Sequence, residues 1–133
     1  MTWEGLSPPY GTIVADPPWR FEYRGGGSWV PGRPEGMGYG TMDLDAIKAL
    51  PVADIAAPDA YLCLWVTRDF YREGEGVAVA RAWGFEPFSE IIWEKHRMGT
   101  GGWPRPCHEP LLLARRGNVR APDDRSMRSV QRW

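Results

Sequence analysis

The residues that point most directly to chemistry are Asp16-Pro17-Pro18-Trp19, which follow the β-branched run Thr-Ile-Val-Ala at 12–15. Proline donates no backbone hydrogen bond, so a strand over 12–15 ends there and leaves the Asp16 carboxylate at its carboxyl end. Open α/β sheets bind their ligands at that end. A carboxylate beside an indole ring suits a nucleobase, because the acid accepts from an amino group while the ring stacks on the base. The alternative is a strand-to-loop corner with a partly buried Trp19.

Further short segments occur in the same order as in one known family. From the amino to the carboxyl end they are Tyr39-Gly40-Thr41-Met42, Leu64-Trp65-Val66-Thr67, Trp83-Gly84-Phe85, Ile92-Trp93-Glu94-Lys95, and His108-Glu109 followed by Leu111-Leu112-Leu113 and Arg116-Gly117. Together with Asp-Pro-Pro-Trp, this order resembles the MT-A70 family of adenine-N6 methyltransferases. The resemblance extends along most of the chain. It implies S-adenosylmethionine as the cofactor and a nucleic acid as the acceptor.

The resemblance also implies that Asp16, Pro17, Pro18 and Trp19 are the catalytic segment. Adenine N6 is a poor nucleophile because its lone pair is delocalised into the ring. The Asp16 carboxylate and the Pro17 carbonyl would each accept one N6 hydrogen, which favours a localised lone pair and stabilises the developing positive charge. Trp19 would bracket the base, which has to be unstacked before it can enter.

Other family positions imply binding residues further along the chain. The resemblance assigns Tyr39, Trp65, Trp93 and Lys95 to the acceptor site, and Glu109 together with Asp16 to the cofactor. For each of these residues other than Asp16, the alternative is a purely structural role. Tyr39 could be an exposed turn residue, and Trp65 and Trp93 could fill the core. Lys95 and Glu109 could form a charge pair that supports the edge of the sheet.

Alternating strand and helix signals predict an α/β fold with a parallel sheet. By resemblance it is a Rossmann-like, S-adenosylmethionine-dependent methyltransferase fold. The predicted elements are strands at 12–15, 61–66, 90–94 and 110–114 and helices at 44–50 and 69–83. We expect the first strand to be buried throughout, Asp43 to cap the first helix and Gly84 to end the second. We assign Trp83 and Phe85 to the core. A Gly- and Pro-rich loop at 21–38 is too long for a simple connector, so it is mobile or functional.

Composition restricts the protein classes. The 133 residues include 16 Lys and Arg and 17 Asp and Glu, so no overall positive field attracts nucleic acid, and such contacts would depend on local patches. Cys63 and Cys107 define no disulfide framework, and the Cys and His spacing matches no zinc site. With no signal peptide or membrane-spanning stretch, we expect a cytoplasmic protein, bacterial or phage-encoded, without membrane or metal.

The family's later cofactor-binding segments, including a Lys-Pro motif and a terminal Gly-Asn, do not occur before Trp133. We therefore expect residues 1–133 to form a single, partial MT-A70-like domain that is incomplete at the C-terminus. Two function classes stay open. One is an adenine-N6 methyltransferase, with DNA favoured over RNA and a partner subunit possible. The other is a truncated or non-catalytic family member that binds nucleic acid or a catalytic partner. The intact Asp16–Trp19 segment favours the first.

Overall fold

The computed structural model describes residues 3–20, 40–99 and 103–132, which form strands and helices of an α/β fold. The α/β class expected from the sequence is therefore confirmed. The predicted loop at 21–38 and Tyr39 lie outside the described residues. In chain order the elements are β1 Tyr10–Ala15, α1 Leu44–Lys48, a 3₁₀ turn Val52–Asp54, β2 Ala56–Trp65, α2 Arg68–Arg72, α3 Glu75–Ala82, β3 Glu86–Glu94, β4 His108–Arg116 and β5 Val130–Arg132.

The described strands form one mixed sheet in the order β1-β2-β4-β3-β5. β1 is parallel to β2, and β5 is parallel to β3, but β4 is antiparallel to both of its neighbours. The expectation of a wholly parallel sheet is therefore wrong. Parallel neighbours are usually joined by a crossover that contains a helix, whereas the structure assigns no helix to the described residues between β3 and β4. The described parts of this connection pair as a hairpin, with Lys95 N donating to Cys107 O at 2.7 Å.

One face of the sheet carries the hydrophobic core. Leu62 and Leu64 of β2 are fully buried on this face, where they join a core cluster that includes Val79 of α3. Trp83 and Phe85 are 1% and 2% exposed, which confirms their assignment to the core. The Trp83 indole Nε1 also donates to the α1 carbonyl Ile47 O at 2.9 Å, so the two helices are tied together beneath the sheet.

The opposite face is more open, most clearly at β1. Ile13 and Ala15 pack against the core, whereas Val14 points the other way and is 68% exposed. The expectation that this strand is buried throughout is therefore wrong. β1 is an edge strand of the described sheet, and only one of its faces is covered, so its side chains alternate between core and solvent.

Helix boundaries follow local capping signals. The Asp43 carboxylate accepts from Ala46 N at 2.8 Å, which confirms the predicted N-cap of α1. The helix predicted at 69–83 is instead two helices, because Gly74 adopts φ +81° and interrupts it between α2 and α3. Gly84, with φ +84°, follows the end of α3 as expected. No helix in the described ranges combines the length and apolarity needed to cross a bilayer.

Candidate active site

The Asp16–Trp19 segment begins where β1 ends, and hydrogen bonds to a distant segment hold it in place. Its two prolines stop the ladder at Ala15. Trp19 N donates to Pro17 O at 2.8 Å, so the chain turns immediately after the acid. Met42 N then donates to Pro18 O at 2.9 Å, and Trp19 and Met42 form an isolated parallel bridge. The first two sequence motifs, around residues 16–19 and 40–42, are therefore in direct contact.

Trp19 lies in the core. Its side chain is 4% exposed, its ring is tilted against Phe70 with a centroid distance of 5.4 Å, and its Nε1 donates to Trp65 O at 2.8 Å. The exposed area is too small for a base to stack on, so the predicted bracketing role would require neighbouring side chains to move. The geometry favours the alternative in which Trp19 is a structural residue that fixes the end of β1 against the end of β2.

A cavity of about 550 Å3 opens at this end of the sheet. Its walls come from the segment after β1, the end of β2 with the residues that follow, and the connection between β3 and β4. Six residues predicted from the sequence line it: Asp16, Pro17, Trp19, Trp65, Lys95 and Glu109. Pro18 and Trp93 are not among the described lining residues, although both adjoin residues that are. The folding of distant strands against one another thus brings most of the predicted site together.

Two carboxylates and one ammonium group among the residues that line the cavity interact with one another. The pKa of Asp16 is raised above its ordinary value, first because the surrounding protein removes part of its hydration and second because the Glu109 carboxylate is close. Glu109 forms an ion pair with Lys95, so the predicted charge pair is present. The Lys95 Nζ also lies 5.2 Å from the centre of the Trp93 ring, a cation–π arrangement.

Trp65 and Trp93 meet edge to face, with centroids 6.1 Å apart and planes at 68°. Both are partly exposed, so neither is simple core filling. Trp65 lines the cavity, and its backbone carbonyl accepts a hydrogen bond from the Trp19 indole Nε1. Trp93 lies on β3, where it is paired with Glu109 of β4. It therefore supports the Lys95–Glu109 pair from beside the cavity.

Sequence reasoning missed four polar residues of the wall: Thr67, Arg68, Arg97 and His108. Thr67 and Arg68 follow β2, so the same rule that selected Asp16, the carboxyl end of a strand, could have found them. Arg97 and His108 reach the cavity because β3 and β4 form a hairpin. His108 belongs to the His108-Glu109 motif, of which only Glu109 was assigned to the site. In the described ranges, no group of three or more His, Cys, Asp and Glu side chains is arranged to hold a metal ion.

Comparison with known proteins agrees with this geometry. The family model of MT-A70 matches residues 10–131, which is nearly the whole chain. The chain belongs to the MT-A70 family. It is 30% identical over 117 residues to a Drosophila melanogaster protein named N(6)-adenosine-methyltransferase MT-A70-like protein, a match that covers 82% of this chain and 17% of that relative.

Two further relatives differ in how much of their own length this chain covers. The human N(6)-adenosine-methyltransferase catalytic subunit METTL3 is 29% identical over 121 residues, covering 82% of this chain and 18% of the relative. The type II methyltransferase M.MunI of Mycoplasma sp is 26% identical over 136 residues, covering 92% of this chain and 57% of the relative. The chain thus spans about a fifth of the length of the first two relatives and just over half of the third.

MT-A70 methyltransferases use S-adenosylmethionine, and the cavity residues fit this molecule. The amino-acid part of the cofactor carries an ammonium and a carboxylate group, and the cavity presents both complementary charges, from Asp16, Glu109 and Lys95. Its volume lies within the roughly 300–1,000 Å3 typical of small-molecule sites. The cofactor class expected from the sequence is confirmed at the level of the family.

Proposed function

We propose that this protein transfers a methyl group from S-adenosylmethionine to N6 of adenine in a nucleic acid, and that the reaction takes place in the cavity beside Asp16. The observation that carries the proposal is the position of Asp16. Its carboxylate follows the last residue of β1, lines the cavity and shares it with Glu109 and Lys95. Membership of the MT-A70 family and the names of the N(6)-adenosine methyltransferase relatives support the same reaction.

The two acceptors that the reaction needs are adjacent in the chain. The Asp16 carboxylate accepts one N6 hydrogen, and the Pro17 carbonyl accepts the other. Pro17 O already accepts from Trp19 N at 2.8 Å, but a carbonyl oxygen has two lone pairs, so the second remains for the substrate. Since the hydrogen bonds of the turn hold both oxygens, they need little reorganisation as positive charge develops on N6.

The other residues have binding roles in this proposal. Glu109 and Asp16 face the charged groups of the cofactor, whose sulfonium supplies an activated methyl group when it is bound. Lys95 holds the Glu109 carboxylate in position, and it contacts the acceptor together with Trp65 and Trp93. Tyr39 keeps its predicted acceptor role, which falls outside the described residues. The catalytic segment is completed by Pro18 and Trp19, which orient Asp16 through their contacts with Met42 and Trp65.

The acceptor polymer, the location and the assembly are part of the proposal. We keep DNA as the favoured acceptor over RNA, and both are included in the test. Because the human relative is named a catalytic subunit, a partner subunit is a reasonable component of the active form. The cytoplasmic location and the single domain over 1–133 stay predictions.

The test is methyl transfer by the full chain from labelled S-adenosylmethionine to adenine-containing DNA and RNA, each single- and double-stranded. We expect Asp16→Ala to lower turnover at least about 100-fold, the usual effect of deleting one preorganised group that stabilises charge in the transition state. Asp16→Asn keeps one acceptor oxygen and should retain measurable turnover. Cofactor affinity and thermal stability should change much less than turnover in both variants.

The matched control is Asp123→Ala, which removes a carboxylate whose side chain is 85% exposed and pairs with Arg120 outside the cavity. It should leave turnover unchanged. Wild-type turnover in Asp16→Ala would contradict the assignment of the acceptor acid. Cofactor binding without turnover on any of the four substrates would instead indicate a non-catalytic family member.

A further inference from the structure

Trp103 is the most exposed large hydrophobic side chain in the described structure, at 94% of its surface. Every other described tryptophan, at positions 3, 19, 65, 83 and 93, is buried or half-buried. Nearly the whole indole surface of Trp103 is therefore accessible to a ligand.

The segment that carries Trp103 is anchored to the cavity wall. Gly99 N donates to Pro106 O at 2.6 Å, and the Arg105 guanidinium Nε donates to Gly99 O at 3.1 Å, so the two arms of the β3–β4 connection are held together. Three residues of these arms, Met98, Gly99 and Pro106, line the cavity that contains Asp16. Trp103 therefore projects from a segment that also forms one wall of the proposed active site.

The charge of this connection differs from that of the whole chain. Residues 95–107 include Lys95, Arg97 and Arg105 and contain no Asp or Glu, whereas the chain as a whole has 17 acidic and 16 basic residues. Arg97 also lines the cavity, where Arg68 joins it. An exposed aromatic ring on a segment that also carries cations is suited to single-stranded nucleic acid, since the ring can stack on a base and the cations can contact the phosphates.

We propose that Trp103 stacks on the unpaired base next to the target adenine, while Arg97 and Arg105 contact the phosphates on either side of that base. The inference rests on the proposed function, because it takes the polymer in the cavity to be a nucleic acid. A stacked neighbour holds the strand at the mouth of the cavity while the adenine is inside. Trp103 thereby determines acceptor affinity and register without touching the reacting atoms. A protein partner that covers Trp103 would be less compatible with the positive charge of residues 95–107, which include no Asp or Glu.

The test measures binding of the full chain to fluorescent single-stranded oligonucleotides that contain one adenine, as DNA and as RNA, by anisotropy. Two further DNA strands carry an abasic nucleotide on the 5′ or the 3′ side of the adenine. We expect Trp103→Ala to weaken binding of the intact strand at least about fivefold, the lower limit for loss of a base–aromatic stack. On one of the two abasic strands, the variant and the wild type should bind equally. Trp103→Phe should recover most of the affinity.

Leu6→Ala is the control, because Leu6 is 43% exposed and precedes β1, at the end of the strand away from Asp16. It should leave affinity unchanged. Unchanged affinity in Trp103→Ala, or an equal loss of affinity on every strand, would overturn the stacking role. The proposed function would still stand in that case if the wild type transfers methyl groups. Self-association that Trp103→Ala abolishes would overturn it in favour of a protein contact. Failure of the wild type to bind any strand would contradict both proposals.

Discussion

The Asp16–Trp19 segment and the β3–β4 connection border the same cavity, and each carries a tryptophan, at opposite extremes of exposure. Trp19 is 4% exposed and Trp103 is 94% exposed. The indole of Trp19 has a carbonyl to donate to and the Phe70 ring to pack against. Trp103 is carried by a segment rich in cations. The two residues have the same chemistry, but one supports the site from inside the protein and the other is available to a ligand.

This difference separates two ways in which an aromatic residue serves a binding site. A buried ring acts through stability, because it holds the end of one strand against the next and thereby positions the acid that follows the strand. An exposed ring acts through affinity, because it contributes only when the ligand is present. Variants that change stability and variants that change binding should therefore fall in different segments.

The largest effect expected from this comparison is on stability. Trp19→Ala should lower the free energy of unfolding by about 3–5 kcal/mol, the usual loss for a large aromatic side chain in a core. Trp19→Phe should lose less, because it keeps a ring against Phe70 but lacks the indole N–H. Urea unfolding of the full chain measures both. Trp103→Ala is the control and should stay within about 0.5 kcal/mol of the wild type. Equal losses at the two positions would contradict the division of roles.

A smaller effect tests how the helices support the buried segment. A Cβ atom on Gly76 of α3 would lie 2.7 Å and 2.9 Å from the two Cγ atoms of Val66, which is buried and lines the cavity. Gly76→Ala should therefore cost about 1–3 kcal/mol through overpacking, reduced by the roughly 1 kcal/mol that alanine gains in a helix. Denaturant unfolding measures the change.

The control for this prediction is Gly11→Ala, where nothing lies within 4 Å of the added carbon, so its effect should be small. Val66→Ala should relieve the clash, so the double variant should show a favourable coupling energy. A Gly76→Ala variant more stable than the wild type would mean that helix propensity exceeds the steric term.

The smallest expected effect is a pH dependence at Asp16. Burial and the nearby Glu109 raise the pKa of Asp16, so the folded protein binds this proton more tightly than the unfolded chain does. The protonated form is therefore the more stabilising one. Its contribution is complete below the ordinary pKa of 3.8 and is lost as the pH rises through the raised pKa.

Asp16→Asn cannot ionise, so at pH 7 it should have a higher melting temperature than the wild type, and the gain should disappear near pH 3.5. Scanning calorimetry between these pH values measures the difference. Asp123→Asn, at an exposed carboxylate, should show no such gain. A constant difference between Asp16→Asn and the wild type at every pH would show that the effect is not electrostatic. The same variant has lower, though measurable, turnover in our proposal, so the acid serves the chemistry at a small expense in stability.

Much of the local structure was predictable from the sequence. The strand ending before Pro17, the Asp43 cap and the turn at Gly84 each depend on the preferences of residues a few positions apart. The helix break at Gly74 has the same kind of origin but was missed, because the apolar spacing across it suggested one continuous helix. The composition of the site was predictable too, through motifs whose order resembles MT-A70 proteins, and six of the predicted residues do line one cavity.

What the sequence determined by itself is therefore the set of elements and most of the chemical groups at their ends, because both depend on short-range backbone and side-chain preferences. Only the tertiary structure decided the direction of β4, the burial of Trp19 and the presence of Arg97 and His108 in the cavity wall. Each depends on a pairing between distant parts of the chain. The hydrogen bond from the Trp19 indole to Trp65 O joins residues 46 positions apart. Side-chain exposure is set by such partners, so one tryptophan became part of the core while another stayed in solvent.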